Sequence, residues 1–256
     1  MDTAIRMVED IGLVRGRLDA DDIYDACLRH PAVAALEALN EHLASRPLTL
    51  QELRLFLASL AAFNRHTIGG IAILAGRVSD DVLPHLPKNG HEIGAYVLDA
   101  AVDEYGLRES VTHVELARNF AEHLGISSDE VEARDHACPA AIKLGEALFS
   151  WYRDSPTAFA LGVHTASEVT SVKEFFAWHD VFLKFPQYGF TWETPAFEYM
   201  RAHCAHEPSH ICHARICIGR YLGALPKQGR LLRKGAETYL EFYQEMFREL
   251  DALIFG

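Results

Sequence analysis

The segment from Thr194 to Cys217 places four histidines, with Glu207 among them, in a stretch that otherwise follows the pattern of an apolar helix. His203, Glu207 and His210 are spaced i, i+4 and i+7. Because an α-helix turns by about 100° per residue, their side chains share one face. Two imidazoles and one carboxylate suit a first-row transition metal, including iron with positions open for dioxygen. One helix cannot complete a buried site, so the fold must bring further ligands to this face.

Most of the remaining chain also has helical patterns. Thr49 and Glu52 form a T-x-x-E capping box before a long apolar helix, in which Gly69 and Gly70 indicate a kink or a close helix approach. No segment alternates with period two for long enough to predict a sheet. We therefore predict an all-α bundle of seven or eight helices with a metal site in its core. A single domain is expected over residues 1–256, with residues 1–30 as an N-terminal extension or helix.

Composition narrows the classes of function. The chain has 256 residues, a formal net charge of −12 and five cysteines. An acidic chain is a poor partner for nucleic acid. The N-terminus lacks the pattern of a signal peptide, and no apolar stretch approaches the roughly 20 residues of a membrane span. The cysteines indicate neither a disulfide framework nor, without a C-x2-C pair, a zinc site. We expect a cytoplasmic protein with a small-molecule substrate and no nucleic-acid or membrane partner; the sequence leaves a homodimer open.

Two candidate ligands lie on either side of Gly106. Glu104 closes one helical segment, and His113 lies near the start of the next. On a single straight helix this spacing would place them on opposite faces. A break at Gly106 removes that objection, because a bend can turn both side chains toward the core. The alternative is a helix-end acid and an exposed histidine.

A third candidate ligand is Glu168, which lies in an apolar helical segment. An unpaired carboxylate in a protein core is costly, so a buried Glu168 needs a cation or strong donors. Glu174, which is followed by two phenylalanines, is a rival for the same role. A salt bridge is the alternative for either acid.

Three other histidines are expected to surround the ligands without binding metal. His206 and His213 lie about 60° and 80° from the direction of His203 on an ideal helix. His164 precedes Glu168 by one helical turn and is expected to face the same cavity. Such neighbours commonly orient metal ligands.

The ordered set of acids and histidines resembles the ligand set of the haem-oxygenase-like diiron oxidases and oxygenases, whose ligands follow the order Glu, His, Glu, His, Asp, His. The segments DEYG before His113, LG after it and ALG before Glu168 strengthen the resemblance. It implies a seven-helix bundle shared with haem oxygenase and the TenA proteins. It also implies two irons, dioxygen as co-substrate, an external reductant in some reactions, and no catalytic residues beyond the ligands. The implied metal ligands are Glu104, His113, Glu168, His203, Glu207 and His210.

The ligand helix departs from the family pattern at two adjacent positions. Glu207 stands where the family has aspartate, and its side chain is one methylene longer. Pro208 follows directly, and proline inside a helix removes a hydrogen bond and favours a kink. We therefore expect this helix to be irregular beside the site.

The resemblance implies an O2-activating oxidoreductase acting on a small amine or an amino-acid-derived metabolite, with N-oxygenation as the favoured reaction. Oxidative C–C cleavage, desaturation and decarboxylation by the same diiron site are alternatives. A metal-free enzyme of the TenA or PqqC type and a non-catalytic metal-binding bundle are further alternatives. No motif selects the substrate.

Overall fold

The computed structural model describes residues 16–86, 88, 90–108 and 111–256. These residues form α-helices, short 3-10 turns and loops, and no β-strand occurs among them. The all-α prediction is confirmed over this part of the chain. The α-helices are α1 (Gly16–Arg29), α2 (Pro31–Leu43), α3 (Leu50–Asn64), α4 (Thr67–Val82), α5 (Gly90–Glu104), α6 (His113–His123), α7 (Ser128–Glu132), α8 (Pro139–Asp154), α9 (Thr157–Lys184), α10 (Glu198–Ala224) and α11 (Gly229–Phe255).

The helix count is higher than the predicted seven or eight, because one expected helix is divided and short helices separate the long ones. The long apolar helix predicted after Thr49 ends at Asn64, and α4 begins at Thr67. The capping box is present: the Thr49 hydroxyl accepts from the Glu52 amide, and the Glu52 carboxylate accepts from the Thr49 amide. The capping signal therefore predicted where this helix begins. The apolar pattern did not reveal where it ends.

Helix α9 is the central element and is buried around most of its circumference. Gly162 on α9 and Gly235 on α11 allow the two backbones to touch. A Cβ atom at Gly162 would lie 1.9 Å from the Leu232 carbonyl oxygen, and one at Gly235 would lie 1.9 Å from that of Phe159. The approach holds α9 tightly against α11, while Glu168 lies on another side of α9, beside His210 on α10.

Gly106 separates α5 from the segment that leads to α6. Its φ is +66°, in the left-handed region that favours glycine, and a Cβ atom there would lie 1.9 Å from the Val111 carbonyl oxygen. The predicted break is confirmed. It reverses the chain so that the end of α5 and the start of α6 face each other.

Helix α10 is continuous from Glu198 to Ala224 with Pro208 inside it. The expected irregularity is therefore not a break in the helix. Proline removes one amide donor, but the helix is held on several sides by α5, α9 and α1. His203, Glu207 and His210 are all buried on its inner face. Among the described residues, no helix is long and apolar enough to cross a membrane.

Candidate metal centre

The first group of candidate ligands joins three helices. Glu104 ends α5, His113 begins α6 and His203 lies on α10. His113 Nδ1 is 3.3 Å from Glu104 Oε1, and His203 Nε2 is 3.9 Å from the same oxygen. The three ligand atoms lie within 4.8 Å of one another. We call this group the cavity trio.

The second group joins α9 to the same face of α10. His210 Nδ1 is 3.6 Å from Glu168 Oε2 and 3.9 Å from Glu207 Oε2. All three side chains are buried. We call Glu168, Glu207 and His210 the interior trio. A small cavity of about 50 Å³ is lined by members of both trios, namely Glu104, His203, Glu168, Glu207 and His210.

Hydrogen bonds determine which ring nitrogen His203 and His210 direct toward the site. A carbonyl oxygen can only accept, so the 2.8 Å contact between His203 Nδ1 and the Tyr199 carbonyl places the proton on Nδ1. His203 Nε2 is then free to face Glu104. His210 Nε2 donates to Asp103 Oδ2 at 2.7 Å, which leaves Nδ1 directed toward the two interior glutamates. Metal-binding histidines are commonly oriented in this way by an acceptor on their other nitrogen.

A polar network lies behind His210. The Asp103 carboxylate, which is fully buried, accepts from Arg108 as well as from His210, and Arg108 also donates to Asp99. Asp99 Oδ2 is 2.9 Å from His213 Nδ1. Asp99, Asp103 and His210 could themselves approach one cation. Since Arg108 already compensates both aspartates, we read this group as an ion-pair network that supports the interior trio.

The three histidines expected around the ligands take different places. His206 Nδ1 is 3.6 Å from Asp103 Oδ2, and His213 contacts Asp99, so both lie in the network behind His210. His164 is buried with Nδ1 3.4 Å from Glu168 Oε1. Burial, with a smaller contribution from the nearby His210, lowers the pKa of His164 to about 3. His164 is therefore a neutral neighbour of Glu168.

The interior trio holds protons when no cation compensates its charges. Burial raises the pKa of Glu168 to about 7, and burial together with the neighbouring Glu168 raises the pKa of Glu207 well above its usual value. Burial opposes the charging of His210, but the hydrogen bond to Asp103 and the two glutamates raise its pKa to about 9. A cation bound here must displace these protons.

In the cavity trio, by contrast, the pKa values of His203 and Glu104 are lowered. Burial and the adjacent His113 lower the pKa of His203 to about 3, so its imidazole is neutral near pH 7. Burial opposes ionisation of Glu104, yet the hydrogen bond and charge of His113, followed by His203, hold the pKa of Glu104 below its usual value. His203 and Glu104 are therefore already in the protonation states that bind metal.

Glu174, the rival to Glu168, is also buried but faces a different partner. The Tyr243 hydroxyl on α11 donates to Glu174 Oε1. Burial raises the pKa of Glu174 to about 7, while the hydrogen bond from Tyr243 acts in the opposite direction. Glu174 lines the small cavity but belongs to none of the three ligand groups among the described residues. The arrangement favours Glu168 as the ligand.

A larger cavity of about 260 Å³ opens from the cavity trio between α3, α6 and α7. His113, His203 and Tyr199 form its buried end, with the half-buried Glu104 beside them. The Phe175 ring stacks on the His203 imidazole with centroids 3.7 Å apart, and the Tyr199 ring packs edge-on against it at 4.7 Å. These rings cover His203 from water on the sides that do not face the cavity.

The donor set fits iron. Each trio supplies imidazole nitrogen and carboxylate oxygen, a combination suited to iron that retains open positions. The burial of Glu168 and Glu207, whose pKa values are raised, also indicates a missing positive charge, because buried acids need compensation. Together the two trios would hold two ions with three carboxylates and three imidazoles.

Some of the supporting residues were not predicted from the sequence. Asp103 directly precedes Glu104, and Asp99 is one turn earlier on the same helix, a spacing that places both on one face. That spacing was the available signal. Ser171, whose hydroxyl donates to Glu207, and Tyr199, whose carbonyl anchors His203, carry no comparable signal. Their roles depend on how α9 and α10 pack.

Comparisons with known proteins identify the family and the fold. The model of a family described as iron-containing redox enzymes matches residues 76–244. The fold is similar to the crystal structure of a CADD-like protein of unknown function from Nostoc punctiforme, with 14% identity, a TM-score of 0.73, and coverage of 94% of this chain and 99% of that chain. It is also similar to a TenA homolog from Pseudomonas syringae pv. tomato, with 15% identity, a TM-score of 0.70, and coverage of 94% and 97%.

No curated protein matches the chain by sequence. The structural likenesses establish the shared helical fold, and the family match covers more than half of the chain, including all six candidate ligands. The chain belongs to the family of iron-containing redox enzymes, and its fold is the all-α bundle of the haem-oxygenase and TenA type.

Proposed function

We propose that this protein binds two iron ions, one on each trio, and uses dioxygen to oxidise a small organic substrate. The observation that carries the proposal is the small cavity lined by ligands from both trios. Two ferrous ions at this position would supply electrons for the reduction of dioxygen. The shared iron family supports the same assignment.

The protein's own residues prepare the site for this chemistry. Tyr199 and Asp103 hold the α10 histidines with Nε2 of His203 and Nδ1 of His210 directed at the ligand carboxylates. Phe175 and Tyr199 restrict water around His203. The larger cavity would give a substrate access to the cavity trio, whereas the interior trio does not line that cavity.

As the reaction we propose N-oxygenation of an amine or an amino-acid-derived metabolite. In a balanced form, a primary amine, O2, two protons and two electrons give the hydroxylamine and water, with the electrons drawn from an external reductant. Oxidative C–C cleavage, desaturation and decarboxylation at the same centre are the other outcomes that product analysis would distinguish. The family resemblance supports this choice, and the apolar cavity supports an organic substrate.

Anaerobic loading of the purified protein with Fe(II), followed by metal analysis and O2 uptake, tests the proposal. We expect about two irons per chain and oxygen consumption that depends on iron, since each trio offers a mixed N/O donor set. His210→Ala should lose iron and oxygen uptake, whereas the control His91→Ala, at an exposed histidine on α5, should keep both. Wild-type protein that binds no iron would contradict the proposal and favour a metal-free enzyme of the TenA or PqqC type.

A further inference from the structure

The larger cavity differs in chemistry between its buried end and its walls. Its buried end is formed by the cavity trio, and its walls are mostly apolar, with Leu57, Ala61 and Val131 among the lining residues. A dry cavity of about 150 Å³ accommodates benzene, which has six non-hydrogen atoms. At the same volume per atom, a cavity of about 260 Å³ accommodates about ten non-hydrogen atoms. The space suits a compact substrate with an apolar body.

The solvent-facing end of the cavity is lined by three arginines, although the chain as a whole has a net charge of −12. Arg118 is paired with Glu132, and Arg134 is paired with Glu146. Arg65, at the C-terminal end of α3, is exposed and has no hydrogen-bond or ion-pair partner within the described residues. One guanidinium at the cavity entrance is therefore available to a ligand.

An available guanidinium beside an apolar cavity recognises a planar anion. Its fork of N–H donors matches a carboxylate with two parallel hydrogen bonds. Arg118 and Arg134 are already compensated by acids, so Arg65 offers one uncompensated positive charge. That charge balances a carboxylate, whereas a phosphate monoester carries nearly two negative charges at neutral pH.

We propose that the substrate carries a carboxylate that pairs with Arg65 at the cavity entrance, with its apolar body extending inward to the cavity trio. This inference rests on the proposed function and adds the class and orientation of its substrate. The reacting atom then lies at the end of the substrate remote from the carboxylate. For N-oxygenation, the amine would be at that remote end. Decarboxylation at the centre would require the reverse orientation.

Binding of four matched eight-carbon probes tests the carboxylate assignment. Octanoate, 1-octanol, octylamine and octyl phosphate are titrated by calorimetry into the metal-free protein and into protein loaded with Fe(II) under anaerobic conditions. We expect octanoate to bind at least about tenfold more tightly than the alcohol or the amine, because a hydrogen-bonded charge pair is worth about that much. Equal or stronger binding of any of the other three, or no binding of the four, would overturn the inference.

Variants locate the interaction. Arg65→Gln should reduce octanoate affinity about tenfold and leave octanol binding unchanged, because only the charged hydrogen bonds are removed. The matched control Arg230→Gln removes the same charge from α11, at an exposed arginine that does not line the cavity and has no ion-pair partner in the described segments. Equal loss in both variants would show a general charge effect and overturn the assignment to Arg65.

Orientation is measured with Mn(II) in place of iron. The paramagnetic ion should broaden the NMR signal of the octanoate methyl group more than that of the protons beside the carboxylate. Greater broadening beside the carboxylate would overturn the proposed orientation. Iron uptake is measured on the same protein preparations, so a protein that fails to bind iron but selects octanoate through Arg65 contradicts the proposed function alone. Two bound irons without carboxylate selectivity contradict only the present inference.

Discussion

The two trios contain the same kinds of ligand but lie in different surroundings. The cavity trio has one carboxylate and two histidines and borders the larger cavity, and the pKa values of its Glu104 and His203 favour the metal-binding forms. The interior trio has two carboxylates and one histidine, lies away from that cavity and holds protons. Under the proposed function, this difference divides the roles: the cavity trio would face the substrate, while the interior trio would exchange protons as metal binds.

Removing an interior ligand should have the largest effect. Glu168→Gln is expected to reduce iron content from about two to about one per chain. The loss of iron affinity should exceed the roughly 100-fold loss that is the upper limit for residues that only orient a metal ligand. The matched control Glu174→Gln should retain both irons, because Glu174 faces Tyr243. Metal analysis of the two variants after gel filtration measures the difference. Retention of both irons in Glu168→Gln, with loss in Glu174→Gln, would reverse the ligand assignment.

The pH dependence of iron binding should separate the trios next. Iron must displace protons from Glu168 and His210, whose pKa values are raised to about 7 and about 9. Occupancy of the interior trio should therefore weaken by about tenfold or more for each unit that the pH falls from about 8 to 6. Occupancy of the cavity trio should change much less. Parallel pH profiles for both irons, measured by titration with a chelator, would contradict the division of roles.

The same pKa values predict the stability of the metal-free protein. His210 has a folded pKa above its unfolded value, so its contribution to stability is present below about pH 6.5 and is lost as the pH rises through about 9. The melting temperature of the metal-free protein should fall between about pH 7 and 9. Bound metal should reduce this dependence, because it replaces the proton on His210.

Weakening the support of the interior trio should have an intermediate effect. Asp103→Asn removes the negative charge that orients His210 and compensates Arg108. We expect a 10–100-fold loss of iron affinity, the usual range for a residue that holds a metal-binding histidine. Asp99→Asn, one turn earlier and further from His210, is the control and should have a smaller effect. Equal effects would show that the network acts as a single charge cluster rather than through His210.

The smallest effect is expected at Ser171, whose hydroxyl donates to Glu207. Ser171→Ala removes one hydrogen bond to the interior trio, worth about 1 kcal/mol or about a fivefold change in iron affinity. Calorimetric titration of iron into the variant checks this value, with Ser167→Ala on the same helix as the comparison. No change in iron affinity would show that the hydroxyl serves the helix backbone rather than the ligand.

Predictability from sequence differs between the parts of the site. The i, i+4, i+7 spacing on α10 is local, so helical geometry alone places His203, Glu207 and His210 on one face. Glu104 and His113 were also predicted, because Gly106 signals a break that sequence reasoning can interpret. The Asp103, Arg108 and Asp99 network was missed, although the helical spacing of its two aspartates is visible in the sequence.

What the sequence by itself determined is the all-α class, the family resemblance and an ordered set of acids and histidines. These follow from periodicity and residue type, which act along the chain. Tertiary structure decided which candidate ligands lie together, why Glu168 rather than Glu174 faces His210, and which trio borders the cavity. Those outcomes depend on the close packing of α9 against α11 and on the chain reversal at Gly106. Such contacts join residues far apart in sequence, so no local pattern records them.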